Sequence, residues 1–209
     1  MHGRHPLRRV LNTGSGPSVP NKLHPAFDRA YWDEVRLDID PGVNPDVLAN
    51  IKNMRDKIPD GSFDAIWSSH NIEHLHFHEV IPALRDFRRI LKPQGFVLLT
   101  CPDLEAVCQL LLEQGPHADI YMSPAGPIKV ADMLFGHAAS IAVGNTFMCH
   151  NSGFTAQSLA NAAIEAGFLE VRMGKGRMYD LWALMSLPQT DLDAVKSWLV
   201  NTPERVLMA

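Results

Sequence analysis

Two periods of apolar and polar positions alternate along this chain. A β-prone run at 9–13 stops at Gly14-Ser15-Gly16-Pro17. Residues 18–25 are rich in Pro, Ser and Asn and predict a loop. Residues 26–32 predict one or two helical turns. Residues 34–39 alternate as a second strand, closed by the turn signal Asp40-Pro41-Gly42, and 46–51 predict a third. A fourth spans 62–68, after the turn Pro59-Asp60-Gly61. Residues 79–91 form the clearest amphipathic helix. Val80, Ile81, Leu84, Phe87, Ile90 and Leu91 share one face, and Arg85, Asp86, Arg88 and Arg89 the other. Lys92-Pro93-Gln94-Gly95 ends it, and the unbroken apolar run 96–101 predicts a strand buried on both faces. A helix at 103–113 has Asp103 as N-cap, and one at 155–167 has a Thr cap and a Gly stop. Residues 169–173 and 179–187 predict two last strands, and 191–200 a closing helix. The stretch 115–153 has no simple period, although 129–141 could be helical.

Strands alternating with helices predict an α/β protein with a mostly parallel sheet, whose ligands bind at the carboxyl ends of the strands. Two features sit there. Gly14-Ser15-Gly16 follows the first strand, where glycine lets the backbone approach a ligand. Asp38 and Asp40 follow the second, where an acid can hold two ribose hydroxyls. The chain has 209 residues, which predicts one domain, 1–209. A net charge of −4 argues against a general nucleic-acid binder. No apolar run approaches the ~20 residues of a membrane span. Cys101, Cys108 and Cys149 make no Cys-x-x-Cys pair, so a reducing, cytoplasmic compartment is expected. His2, Arg4, His5, Arg8 and Arg9 form a basic lead-in without the apolar stretch of a signal peptide, expected to be solvated.

Four strings resemble, in order and spacing, the class I S-adenosylmethionine (SAM)-dependent methyltransferases, in particular the methyltransferase type 11 group. They are Leu11-Asn12-Thr13-Gly14-Ser15-Gly16; Arg36-Leu37-Asp38-Ile39-Asp40-Pro41; Ser62-Phe63-Asp64-Ala65-Ile66 with Ile72-Glu73-His74-Leu75; and Arg88-Arg89-Ile90-Leu91-Lys92-Pro93-Gln94-Gly95-Phe96. The late His150, Phe154-Thr155 and Ala166-Gly167-Phe168 extend the likeness to about residues 8–185. The resemblance implies a Rossmann-like three-layer sandwich, its mostly parallel seven-stranded sheet ending in an antiparallel strand. It implies SAM as cofactor. Asn12, Gly14, Ser15 and Gly16 would lie against the methionine part, and Asp38 with Ile39 at the ribose. Asn53 and the Met54 backbone N–H would meet the adenine, and Ser69 and His70 the methionine and acceptor. The chain departs from the family at Asn12 and Asn53, where acids are usual, and at Ser18, where a glycine is usual. The 40–45 link is too short for a crossover helix, so either that helix is lost or the third strand is misplaced.

The expected activity is methyl transfer from SAM to a small organic or sugar acceptor, with O-methylation favoured. The alternative is a catalytically degenerate SAM-binding protein or adaptor subunit. For a hydroxyl acceptor His70 is the first candidate base and Asp103 the second, with His137 and His150 behind them. Residues 115–153 are expected to form a structureless lid and acceptor wall. Partners are a small-molecule or glycan acceptor, with no nucleic acid and no membrane; a homodimer is compatible with the chain. His70-Asn71-Ile72-Glu73-His74 matches the His-x-x-Glu-His zinc pattern, but it leaves a strand directly where a zincin needs a long helix, so no metal is expected. Gly14-Ser15-Gly16 lacks the third glycine and the following helix of a dinucleotide site. Cys101 reads as a small buried thiol, and Met122, Met133 and Met148 as gap fillers.

Overall fold

A computed structural model describes residues 6–20, 22–123 and 126–208. His2, Arg4 and His5 lie outside the described residues. The strands are β1 (Arg8–Thr13), β2 (Trp32–Asp38), β3 (Val47–Leu48), β4 (Phe63–Ser69), β5 (Leu91–Pro102), β6 (Asp119–Ser123), β7 (Gly126–Lys129), β8 (Glu170–Lys175) and β9 (Asp180–Ser186). The helices are α1 (Phe77–Ile90), α2 (Leu104–Gln114), α3 (Val130–Phe135), α4 (Ala138–Ala142), α5 (Ala156–Glu165) and α6 (Leu192–Leu199). Seven strands form one sheet in the order β3-β2-β1-β4-β5-β9-β8. β9 is antiparallel to both its neighbours, and every other pairing is parallel. β6 and β7 make a separate hairpin.

Alternate strand residues feed two cores on opposite faces of the sheet. Leu11, Ile66, Val97, Leu99, Ala183 and Met185 point to one face and pack with α1 and α5 through Leu84, Phe87, Leu159 and Ala163. Val10, Ala65, Trp67, Phe96, Leu98 and Leu184 point to the other. That second face is covered by α6, the C-terminal 3-10 turn and the loop carrying Ala26 and Phe27. Trp32, Phe96 and Trp198 stack edge to face and face to face there. An aromatic cluster joining the loop residue Phe27 to Trp32 of β2, Phe96 of β5 and Trp198 of α6 thus fills this face.

Several elements differ from the sequence pattern. Residues 26–32 form hydrogen-bonded turns, with Trp32 N–H bonding Asp28 C=O, and Trp32 already opens β2. The third strand shrinks to the two-residue β3, reached through a 3-10 turn at Pro41–Val43 capped by Asp40, so the crossover helix is lost. Lys92-Pro93-Gln94-Gly95 lies inside β5 as a bulge, where the register shifts between Phe63 and Ala65; a proline without an N–H is tolerated there. Arg8 and Arg9 are exposed but belong to β1. Arg8 lies over the Trp198 ring at 4.9 Å and Arg9 over Phe63 at 4.8 Å. Asp86, assigned to the polar face of α1, is buried, because it accepts from Arg89 Nε at 2.6 Å and from Met54 N–H at 3.1 Å.

Residues 115–153 are not structureless. The β6–β7 hairpin and the short helix α3 pack on α2 in a cluster built on Val107, Leu110, Val130 and Met133, and α4 follows against the 3-10 turn Thr146–Met148. Among the described residues no helix is long and apolar enough to cross a membrane.

Candidate active site

The carboxyl ends of β1, β2 and β4 open into a crevice of about 500 Å³. Gly14, Gly16, Asp38, Ile39, Ser69 and His70 all line it. The turn after β1 needs its glycines. Gly14 and Gly16 have φ of +63° and +57°, a region that strains any side chain, and a Cβ on Gly14 would lie 2.7 Å from the Asn71 side chain. Asp38 holds this turn: its carboxylate accepts from Gly16 N–H at 2.7 Å and from Asp40 N–H at 2.9 Å. Arg36 pins the same loop by donating to the Gly16, Val43 and Asn44 carbonyls.

Four expected cofactor residues lie off the crevice. Asn12 and Ser15 are buried beneath it. Asn12 Nδ2 donates to Glu34 Oε1 at 2.7 Å, and the Ser15 N–H pairs with Leu37 C=O. Met54 is fully buried and its N–H is taken by Asp86, while Asn53 is exposed elsewhere. Ala49, Asn50 and Ile51, directly after the two-residue β3, line the wall instead.

Two liners were not legible from the sequence. Lys22 stands against Gly16, and its pKa is lowered by burial, partly countered by the charge of Asp38. Asn71 faces Gly14, and its Nδ2 is buried with no partner. Residues Asn145–Asn151 supply the far wall through Phe147, Met148 and Cys149.

A second chamber of about 380 Å³ adjoins the first, and His70, His74 and Met148 border both. Its other walls include Tyr121, Asp132, His137, His150, Tyr179 and Asp180. His70, His137 and His150 therefore meet at one chamber. Asp103 does not. It is 1% exposed, caps α2 by accepting from Glu105 N–H at 3.1 Å, and lies 3.5 Å from Lys175 Nζ. Asp180 and Asp132 are the carboxylates that line the chamber. Asp180 is itself engaged by the Met178 N–H and the Trp182 indole.

His70 leaves β4 with φ of +47°, its N–H bonded to Thr100 C=O. This left-handed turn sends the ring into the cleft, where about half of its side chain (52%) is open. Nδ1 lies 3.3 Å from Oε1 of Glu73, a carboxylate 1% exposed. Burial disfavours the imidazolium, but contact with Glu73 and the charges of Glu73 and Asp180 outweigh it, so the His70 pKa is raised. Burial likewise opposes the Glu73 charge, yet His70, His74 and His150 around it hold its pKa below the ordinary range. Cys101 is fully buried and burial pushes its thiol well up, as for an inert core cysteine. Met133, Met148 and Met178 line the chamber, and Met122 is exposed.

Residues 20–99 match the family described as methyltransferase domain. No curated protein matches the sequence significantly. Among solved structures, a SAM-dependent methyltransferase from Archaeoglobus fulgidus is 13% identical with a TM-score of 0.55, covering 86% of each chain. The Haloferax volcanii complex of the Trm112 methyltransferase activator with a methyltransferase is 14% identical, TM-score 0.56, covering 88% of this chain and 86% of that one. The trans-methyltransferase CalH, complexed with SAH, is 17% identical, TM-score 0.53, covering 87% of this chain and 51% of that one. At these identities the likeness to solved structures is one of fold. Residues 20–99 thus match a methyltransferase domain, and the chain as a whole has the fold of the SAM-dependent methyltransferases to which it is similar.

Proposed function

We propose that this protein transfers a methyl group from SAM to a hydroxyl of a small organic or sugar acceptor. The carrying observation is the pair of chambers that meet at His70, one under the Gly14–Gly16 turn and Asp38, the other walled by the 115–153 lid. The crevice fits SAM in kind. It has positive-φ glycines that leave backbone exposed, an acid at the second strand end, and an unpartnered Asn71 amide. Asp38 would take the ribose hydroxyls, the Gly14–Gly16 turn with Lys22 and Asn71 the methionine end, and Ala49–Ile51 the adenine. Bound SAM supplies an electrophilic methyl on a sulfonium. The chain's own task is positioning, which contributes up to ~7–11 kcal/mol. His70, oriented through Nδ1 by Glu73, would take the acceptor proton at Nε2 as the oxygen–methyl bond forms and the sulfur–methyl bond breaks, its electron pair staying on sulfur as a neutral thioether. Free cysteines in the described residues fit a reducing cytoplasm.

Titration calorimetry with SAM, followed by a labelled-SAM screen of sugars, phenols and polyketides, tests the reading. Heat with turnover on a hydroxyl acceptor supports it. Heat without turnover on any acceptor supports the degenerate SAM-binding alternative, and no heat overturns both. Asp38→Ala should weaken SAM binding by ~1.5–3 kcal/mol, about ten- to hundredfold, as expected for lost charge-assisted hydrogen bonds. Unchanged affinity would place the ribose elsewhere.

A further inference from the structure

The methyl-transfer reading uses Glu73 only as a support for His70, yet this carboxylate is built into something more specific. Both of its oxygens are buried; Oε1 has only the 3.3 Å contact with His70 Nδ1, and Oε2 has no hydrogen-bond partner. An ionised carboxylate without donors is costly in a protein interior unless it is paired or coordinates a metal. Three rings surround it. His74, its chain neighbour on the 3-10 turn Ile72–His74, borders both chambers. His150 comes from the lid, and His70 touches Oε1. One donor atom each from Glu73, His74 and His150 lies within 4.8 Å of the other two.

The two rings are held in a way that selects their free nitrogens. His74 Nδ1 contacts the Cys149 carbonyl at 2.9 Å, and His150 Nδ1 contacts the Met133 carbonyl at 3.1 Å. A carbonyl oxygen only accepts, so each Nδ1 carries the proton and each Nε2 keeps a lone pair. Such a carbonyl partner is the outer support that fixes the tautomer of metal-ligating histidines. Main-chain bonds lock the lid residue to the turn: the Asn151 and Ser152 N–H groups both donate to Glu73 C=O, at 2.8 and 3.1 Å. Asn151 Nδ2 adds a bond to His74 C=O at 2.8 Å. A void of about 20 Å³ borders Glu73 and His150, room for one water or ion.

We propose that Glu73, His74 and His150 bind one divalent transition-metal ion, leaving a coordination position open toward the acceptor chamber. Two imidazoles and one carboxylate suit zinc or iron(II), and not magnesium or calcium, which take oxygen donors. This is not the zincin arrangement: Glu73 is here a ligand, and His70, at the far end of the same string, supports Glu73 from behind.

The test is titration of chelator-treated full-length protein with zinc chloride, read by calorimetry, with magnesium chloride as the comparison. One zinc per chain and no magnesium heat are expected. His74→Gln and His150→Gln should each weaken zinc at least ~100-fold, since even supporting residues cost 10–100-fold. A double variant at the exposed, stacked His76 and His78 should bind as the wild type does. Absence of zinc heat in the wild type, unchanged affinity in both ligand variants, or loss in the His76/His78 variant would each overturn the proposal. Where a ligand variant fails to fold, cobalt(II) added to the wild type decides: visible bands of a low-coordinate nitrogen-ligated ion support the site, and the spectrum of free aqueous cobalt refutes it. None of these readouts involves methyl transfer, so the site and the activity stand or fall separately.

Discussion

His70 carries the most chemistry in the fewest atoms. Its backbone sits in the left-handed region, where a non-glycine residue is uncommon, and the surrounding chain pays that strain to turn the ring into the cleft. Removal of the ring separates binding from chemistry. His70→Gln should lower kcat ~10²–10⁴-fold, the usual worth of a positioned base, while SAM affinity stays within a few-fold. Calorimetry beside initial rates on the same hydroxyl acceptor checks this. An unchanged kcat would mean that the acceptor atom needs no base, as for an amine. The position of His70 was legible in the sequence, because an open α/β sheet presents strand-end residues to its crevice. The role of Asp103 was not. Its place after β5 is the same kind of position, but its carboxylate is spent on capping α2 and facing Lys175, and a cap cannot be told from a base by spacing.

At the scale of elements, one close backbone approach joins the two halves of the lid. Gly136 ends α3 with φ of +95° and bridges Cys149, and a Cβ there would run into the Met148 carbonyl. The residue that follows Cys149 is His150, so this contact sets the far wall of both chambers. Gly136→Ala should therefore open the bridge without touching the sheet. Hydrogen exchange at the Cys149 and His150 amides should accelerate, while amides of β4 and β5 keep their protection. Equal acceleration throughout would show that the lid folds as one unit with the sheet. The helical reading of 129–141 corresponds to α3 and α4, but the β6–β7 hairpin escaped the sequence pattern because its strands are five and four residues long and its apolar side chains join the small cluster on α2 rather than the main cores. Asn53 and Met54 lie off the crevice for a related reason. The likeness to the family fixed an order of motifs, but the two-residue β3 shortened the path, and Asp86, hidden beneath Arg89, claimed the Met54 amide.

Across the whole molecule, the strands of the main sheet and the long helix were legible, because a sheet with two buried faces needs apolar residues at successive positions of its strands. What the pattern could not show is how the second face is covered where crossover helices are absent. The cover includes His24, packed among Phe27, Trp67 and Trp182 and 3.1 Å from Glu204 in the C-terminal 3-10 turn. Its Nδ1 faces the Ala26 N–H, so it accepts there, and Nε2 donates to Glu204: the folded ring is neutral. Burial lowers its pKa below the ordinary 6.5, and Glu204 offsets only part of that. The unfolded chain thus takes up a proton, on acidification, that the folded chain refuses. The stability that this neutral ring contributes is fully present above the unfolded pKa and is lost as pH falls below about 6.5. Thermal melts between pH 7.5 and about 5 should show a falling Tm in the wild type and a shallower fall in His24→Gln, which keeps a donor for Glu204 but cannot titrate. Parallel slopes for the two proteins would show that this loop-to-terminus contact does not report on acid stability, and that the second face is held by its aromatic packing alone.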